Sequence, residues 1–173
     1  NVFADVDAGD TLTYTATING ATVGFANFDA ATRTFTGTAL NANVGNHTVV
    51  VTATDSGGAT VSDSFILTIT NTNDAPTVAN AIADQSATVD TALSFQFNTN
   101  VFADVDVGDS FAYTATLSNG TALPSWLSFN SSTRTFSGTP ADGDAGAIAV
   151  KVTATDSGSA TVFDTFNLTV STN

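Results

Sequence analysis

Leu93, Phe95 and Phe97 alternate with Ser94, Gln96 and Asn98, and this every-second-residue rhythm returns three more times before the chain ends. It runs through Phe111, Tyr113, Ala115 and Leu117, then Ile148, Val150 and Val152, then Phe166, Leu168 and Val170. Successive side chains of a strand point to opposite faces, so a period of two predicts strands with one face in a core. Between them, "FNSSTRTF" (Phe129–Phe136) reads as two short strands joined by a tight Asn/Ser turn. Seven strands result: A near Ala83–Val89, B at Leu93–Asn98, C at Ser110–Leu117, D near Trp126–Phe129, E at Thr133–Ser137, F at Ala147–Thr155 and G at Val162–Val170.

Much of this pattern occurs twice. "NVFADVDAGD" at Asn1 returns as "NVFADVDVGD" at Asn100. "TRTFTGT" (Thr32–Thr38) returns as "TRTFSGT" (Thr133–Thr139), and "VTATDSGGATV" (Val51–Val61) as "VTATDSGSATV" (Val152–Val162). The offset is 99 for the first pair and 101 for the others, so the repeat is about 100 residues long, the size of one sandwich domain. "NTNDAPTV" (Asn71–Val78) lies between the copies, and its Pro76 breaks strand pairing, so it reads as a linker. The expected organisation is an incomplete repeat over residues 1–72, with strands C to G, and a complete repeat over residues 73–173.

The first copy has nothing matching Asp74–Thr99, the stretch that supplies strands A and B and the core side chains Leu93, Phe95 and Phe97. It should therefore show an open edge and an uncovered apolar face. Other sequence is expected to complete it. Either a neighbouring chain donates strands, as in a filament or a swapped dimer, or these residues are an excerpt of a longer repeat array. The absence of Met and of a signal peptide agrees with an internal piece of something longer.

Composition narrows the class. Glu is absent, Lys occurs once and Arg twice, while Thr, Val, Phe and Ala abound, so helix formers are scarce and strand formers plentiful. The fold class is all-β. With 3 basic residues against 16 acidic ones the net charge is −13, which repels nucleic acid and anionic membrane surfaces. No apolar run approaches the ~18 residues of a membrane span. There is no Cys, so neither disulfides nor a thiolate site can help; stability must come from packing or from bound cations.

The acids cluster. Asp5, Asp7 and Asp10 fall within six residues, as do Asp104, Asp106 and Asp109. With successive strands antiparallel, the B–C, D–E and F–G loops share one pole. The triple-Asp motif lies in the B–C loop, Asp156 starts the F–G loop, and the linker bearing Asn73 and Asp74 enters at the same pole. Uncompensated, such a cluster is unfavourable. A hard cation compensates it, and Ca²⁺ takes six to eight oxygens at roughly 2.3–2.6 Å. The competing reading is turn chemistry, since Asp commonly caps turns through its own backbone; Asp109 in particular could serve only to cap strand C.

These residues resemble a known family. "DVD" in the B–C loop, "ATD" before the F–G loop and the "NTNDAP" linker are similar to the DxD, A-x-D and D-x-N-D-N-x-P motifs of cadherin repeats. "LPSWLSFNSSTRTFSGTP" (Leu123–Pro140) is similar to dystroglycan-type cadherin-like domains, also described as immunoglobulin-like repeats of bacterial surface proteins. The resemblance implies tandem Greek-key β-sandwiches with Ca²⁺ stiffening the junctions. Carried over by residue, it implies metal ligands at Asn73, Asp74, Asp104, Asp106 and Asp156, and at Asp5, Asp7 and Asp55 of the first copy. Two departures stand out: the linker's leading Asp is Asn71, and the acidic motif of the E–F loop is absent, with Asn41 and Asn43 in one copy and Asp142 and Asp144 in the other.

The implied function is a calcium-stiffened repeat of a large extracellular adhesin or surface filament, on a prokaryotic cell surface, acting as spacer or adhesion module. Its partners would be neighbouring repeats or copies of the same chain, with no nucleic acid and no membrane insertion in this segment. The alternative is a carbohydrate-binding module of a secreted polysaccharide-acting protein, with an exposed Trp126 stacking on a sugar; core packing is the competing role of that residue. His47 has no Cys, Glu or second His beside it, so neither catalysis nor zinc binding is expected, and no positioned nucleophile or acid/base pair argues for an enzyme. Asp63 and Asp164 are expected to accept backbone hydrogen bonds, and Arg33 and Arg134 to pair with a pole carboxylate or stay solvated.

Overall fold

The computed structural model describes residues 2–7, 9–22 and 24–172. The chain divides into two compact units, Asn1–Thr72 and Asn73–Asn173. The first holds β1 (Thr13–Ile18), β2 (Ala21–Thr22), β3 (Ala26–Asp29), β4 (Thr34–Gly37), β5 (Gly45–Thr54) and β6 (Thr60–Ile69). The second holds β7 (Thr77–Val78), β8 (Gln85–Thr88), β9 (Leu93–Gln96), β10 (Phe102–Ala103), β11 (Ala112–Leu117), β12 (Leu127–Asn130), β13 (Thr135–Gly138), β14 (Gly146–Thr155) and β15 (Thr161–Ser171). The only helical pieces among the described residues are single 3₁₀ turns at Asn41–Asn43 and Asp142–Asp144.

The second unit is a β-sandwich. One sheet has the order β11-β14-β15-β8 and the other β12-β13-β9. All pairings are antiparallel except β8 on β15, which is parallel, with Val170 opposite Ala87. Neighbours within the sheets are not all consecutive in the chain, β11 lying beside β14 and β13 beside β9, so the topology is a Greek key rather than an up-and-down meander. The predicted strands A to G correspond to β8, β9 and β11 to β15; β7 and β10, a two-residue bridge from Phe102 to Val78, were not legible.

The period of two shows directly in burial. Val150, Val152 and Ala154 of β14 are fully buried, and so are Phe166, Leu168 and Val170 of β15. The sheets meet through aromatic rings: Phe95 of β9 lies 5.7 Å from Phe166, and Phe136 of β13 lies 5.6 Å from it. Phe97 contacts Phe102, Tyr113 and Phe129 at 6.2, 5.4 and 6.1 Å. Burying each such ring contributes about 1.5–3 kcal/mol.

The β12–β13 hairpin shows why its sequence turns where it does. Asn130 Oδ1 accepts from the N–H groups of Ser132 and Thr133, both at 3.1 Å. Arg134 then takes a left-handed φ of 56°. Gly138 is glycine because a Cβ there would collide with the Trp126 carbonyl oxygen.

The first unit repeats this plan in part. Its order is β2-β1-β5-β6, with β3–β4 as a separate hairpin. Registers match those of the second unit: Ala16 opposes Val51 as Ala115 opposes Val152. Among the described residues it has no counterpart of β8 or β9. The result is visible in exposure, because Phe65 is 47 % exposed whereas its counterpart Phe166 is 3 %.

Candidate metal centre

The loop from β10 to β11 turns sharply, and three aspartates on it point inward. Asp104 Oδ1 accepts from the N–H of Asp106 at 2.9 Å. Asp106 Oδ2 accepts from the N–H of Asp74, at 2.9 Å. Asp109 Oδ1 accepts from the N–H groups of Ser110 and Ser157, at 3.0 and 3.2 Å. Each carboxylate thus gives one oxygen to the backbone, which is the turn chemistry expected of Asp. The second oxygen of each is different. Asp104 Oδ2, Asp106 Oδ1 and Asp109 Oδ2 are buried and have no hydrogen-bond partner. One ligand atom from each of the three aspartates lies within 4.8 Å of the others.

Buried polar atoms are nearly always satisfied, and three orphaned carboxylate oxygens in one place repel one another. The basic side chains are engaged elsewhere: Arg134 Nε donates to Phe97 O, Arg33 lies over Tyr14 and Lys151 over Phe163. The donor set is all oxygen and anionic, as a hard divalent cation requires. The residues therefore fit calcium.

Two further predicted residues join the same pole. Asp156, 6 % exposed, caps the β14–β15 turn through Oδ1, which accepts from Ala160 N–H at 2.7 Å, while its Oδ2 accepts from Asn73 Nδ2 at 3.0 Å. Asn73 also donates to Asp74 O at 3.0 Å, and its side chain fills the space over Gly158. Hydrogen bonds thus tie Asn73 to Asp156 and the Asp74 backbone to Asp106, while the ligand atoms brought together are those of Asp104, Asp106 and Asp109. Asp109, which the sequence reading left as a possible cap alone, belongs to the inner trio. The signal for it was the DxDxxD spacing, which puts three carboxylates on one turn. Its carboxyl is held below the usual carboxylate range, chiefly by the Ser157 hydroxyl hydrogen bond.

The first unit carries the same motif in looser form. Asp5, Asp7 and Asp10 also bring ligand atoms within 4.8 Å, but Asp5 and Asp7 are exposed. Asp5 Oδ1 accepts from Asp7 N–H at 2.9 Å, and Ser56 Oγ donates to Asp10 Oδ1. Asp55 Oδ1 caps its turn by accepting from Ala59 N–H at 2.7 Å, as Asp156 does.

Other singled-out residues take structural places. His47 Nε2 lies 2.7 Å from Asn43 O and Nδ1 lies 3.0 Å from Asn19 Nδ2, so both ring nitrogens are used within the fold. Trp126 is half-buried against the second core. Asp164 Oδ2 accepts from Ile82 N–H at 2.6 Å, a backbone partner as expected. Arg134 corrects its expectation. Its Nε donates to the carbonyl of Phe97, the residue after β9, and not to a carboxylate. No described helix is long and apolar enough to cross a membrane.

Comparison with known proteins agrees with this architecture. The chain is 31 % identical over 172 residues to the serine-rich adhesin for platelets of Staphylococcus aureus strain USA300, covering 99 % of this chain and 7 % of the adhesin. It thus spans a small fraction of that relative's length. Among solved structures, human mucin-like protocadherin EC1-2 superposes with a TM-score of 0.70 at 16 % identity, covering 98 % of this chain and 87 % of that one. Drosophila N-cadherin EC1-4 gives 0.62 at 19 % identity, covering 95 % and 42 %. These likenesses show the fold. A family match runs over residues 1–70 and again over 75–171, and the chain accordingly belongs to the family described as "Putative Ig domain".

Proposed function

We propose that this chain is a calcium-binding repeat segment of a long extracellular adhesin or surface filament, and that it works as a spacer or adhesion module. The observation that supports this most is the inner trio: three buried carboxylate oxygens of Asp104, Asp106 and Asp109 without a protein partner. Asp104, Asp106 and Asp109 would hold the ion directly, with Asp156 and Asn73 beside them. The chemistry it supplies is charge neutralisation. The chain's own residues do the rest. The Asp74 N–H ties the segment entering the second unit to Asp106, and the Asn73 amide ties it to Asp156. An ion that neutralises Asp106 and its neighbours thereby holds that entry segment against both loops.

Similarity to a staphylococcal adhesin and to cadherin ectodomains supports an extracellular setting. The carbohydrate alternative gains no support from Trp126, which is partly buried against the core of the second unit. The test is thermal melting followed through Trp126, the chain's single Trp, which lies in the second unit. A ligand that binds only the folded state stabilises it by RT ln(1 + [L]/Kd), about 2.7 kcal/mol at a hundredfold excess over Kd. That corresponds to an upward shift of several degrees in millimolar calcium. Superimposable melts in calcium and in chelator would refute the proposal.

A further inference from the structure

Among the described residues of the second unit, one aromatic ring is exposed: Phe163 of β15, at 60 %. Phe166, Leu168 and Val170 of that strand are buried in the core, so by alternation Phe163 stands on the outer face of the sheet. The fold does not require a ring there. Phe163 opposes Thr153, and in the first unit the same register sets Ser62 opposite Thr52, whose hydroxyls lie 2.8 Å apart in a hydrogen bond.

The surroundings of the ring also differ between the copies. Lys151, the chain's single lysine, stands on the outer face of β14 where the first copy has Val50. Its Nζ lies 5.7 Å from the centre of the Phe163 ring, a contact that leaves the three ammonium N–H donors unused. Four threonines complete the patch. Thr161 and Thr165 flank Phe163 along β15, Thr153 opposes it on β14, and Thr114 opposes Thr153 on β11. Among the described residues, the hydroxyls of these four have no hydrogen-bond partner within the protein. The chain carries 16 acidic residues, yet no aspartate occupies an outward position of β11, β14 or β15.

These features select a ligand chemistry. A nucleic acid or an anionic membrane needs several cations, and one lysine on a chain of net charge −13 does not supply them. A sugar ring needs an exposed aromatic surface for its C–H face and hydroxyls around the rim. The outward threonines are spaced ~4.8 Å across strands and about 6.8 Å along them, on the scale of one sugar residue. The single ammonium beside the ring adds a partner for one carboxylate on that sugar.

We infer that the outer face of β11, β14 and β15 is a binding site for a polysaccharide that bears carboxylates, a uronate chain. One sugar stacks on Phe163, its carboxylate meets Lys151, and its hydroxyls exchange hydrogen bonds with Thr114, Thr153, Thr161 and Thr165. This site is separate from the aspartate trio and does not use its ion.

The experiment is a nuclear magnetic resonance titration of the whole labelled chain with a galacturonate trisaccharide, beside a neutral galactose trisaccharide. It is run in chelator, so that a bound ion cannot bridge to the carboxylates and a failed calcium site does not alter the result. The amides of Lys151, Thr153, Phe163 and Thr165 should shift saturably with the acidic sugar, and those around Trp126 should not. Phe163→Ala should abolish the shifts; at an exposed position it leaves the core intact. Lys151→Gln should weaken the acidic sugar up to about fivefold and leave the neutral one unchanged. Raising the salt to about 1 M should erase the preference for the acidic sugar. Absence of shifts with either sugar would overturn the inference, and so would unchanged binding by Phe163→Ala. Equal affinity for the two sugars at low salt would overturn the assignment to uronates.

Discussion

The backbone N–H of Asp74 donates to Oδ2 of Asp106 at 2.9 Å, joining the segment that enters the second unit to a loop 32 residues further on. Asp106 is 7 % exposed, and its other oxygen has no partner. One carboxylate is therefore both a structural acceptor and a member of a charged trio. The two roles separate under mutation. Asp106→Asn keeps an acceptor for Asp74 but removes one of three mutually repelling charges. In chelator it should stabilise the second unit, on the order of 1 kcal/mol. In calcium it should destabilise that unit, because it removes a ligand. Paired urea titrations read through Trp126 check the reversal of sign.

Gly158→Ala tests the Asn73 position. A Cβ at 158 would occupy the space of the Asn73 side chain, which must move, while the backbone need not. The expected outcome is weaker calcium binding with little change in the ion-free melting temperature. Gly138→Ala is the contrasting case, because there the Cβ meets backbone at Trp126. Overpacking of that kind costs about 1–3 kcal/mol whether or not calcium is present. Melting of both variants in calcium and in chelator distinguishes them.

The two halves should respond unequally to truncation of matched phenylalanines. Phe166→Ala removes a ring that is 3 % exposed and should cost about 3–5 kcal/mol. Phe65→Ala removes its counterpart from a face that is 47 % exposed and should cost well under half as much. Equal losses in denaturant unfolding would mean that the first unit's face is already covered in solution.

Acid sensitivity should differ at one matched turn. Asp29 Oδ1 accepts from the N–H groups of Ala31 and Thr32, and these bonds, with the Thr32 backbone bond the largest cause, hold its pKa below the ordinary 3.8. A carboxylate depressed in the folded state contributes stability that is present above its unfolded pKa and lost as pH falls through its folded one. The first unit should therefore lose stability below about pH 3.8. Asn130 makes the same two bonds in the second unit without a charge. Asp29→Asn should keep the turn and flatten that part of the pH profile, as measured by urea midpoints on either side of pH 3.8.

Much of this was legible in the sequence because it is local. Period-two alternation located β9, β11, β14 and β15 to within a few residues, and the Asn/Ser stretch located the β12–β13 hairpin. The repeat located the open face, since Phe95 and Phe97 have no counterpart in the first copy. Long-range pairing was not legible: nothing local says that β8 runs parallel to β15, or that Phe102 bridges to Val78. Side-chain aim was missed as well. Arg134 looked like a partner for carboxylates, but its Nε donates to Phe97 O. The pole was legible as a cluster. Which oxygens are tied and which are orphaned, Asp109 Oδ2 among them, depends on backbone geometry that no local pattern encodes.

The most direct test of the central claim is a calorimetric calcium titration of the chain beside the triple variant Asp104→Asn, Asp106→Asn, Asp109→Asn. The account predicts saturable binding to the parent chain, weakening in acid as the carboxylates protonate. It also predicts loss of the second unit's site in the variant, with the β-sandwich retained by circular dichroism. Binding of equal affinity and stoichiometry in both proteins, or no binding to the parent chain at millimolar calcium, would contradict it.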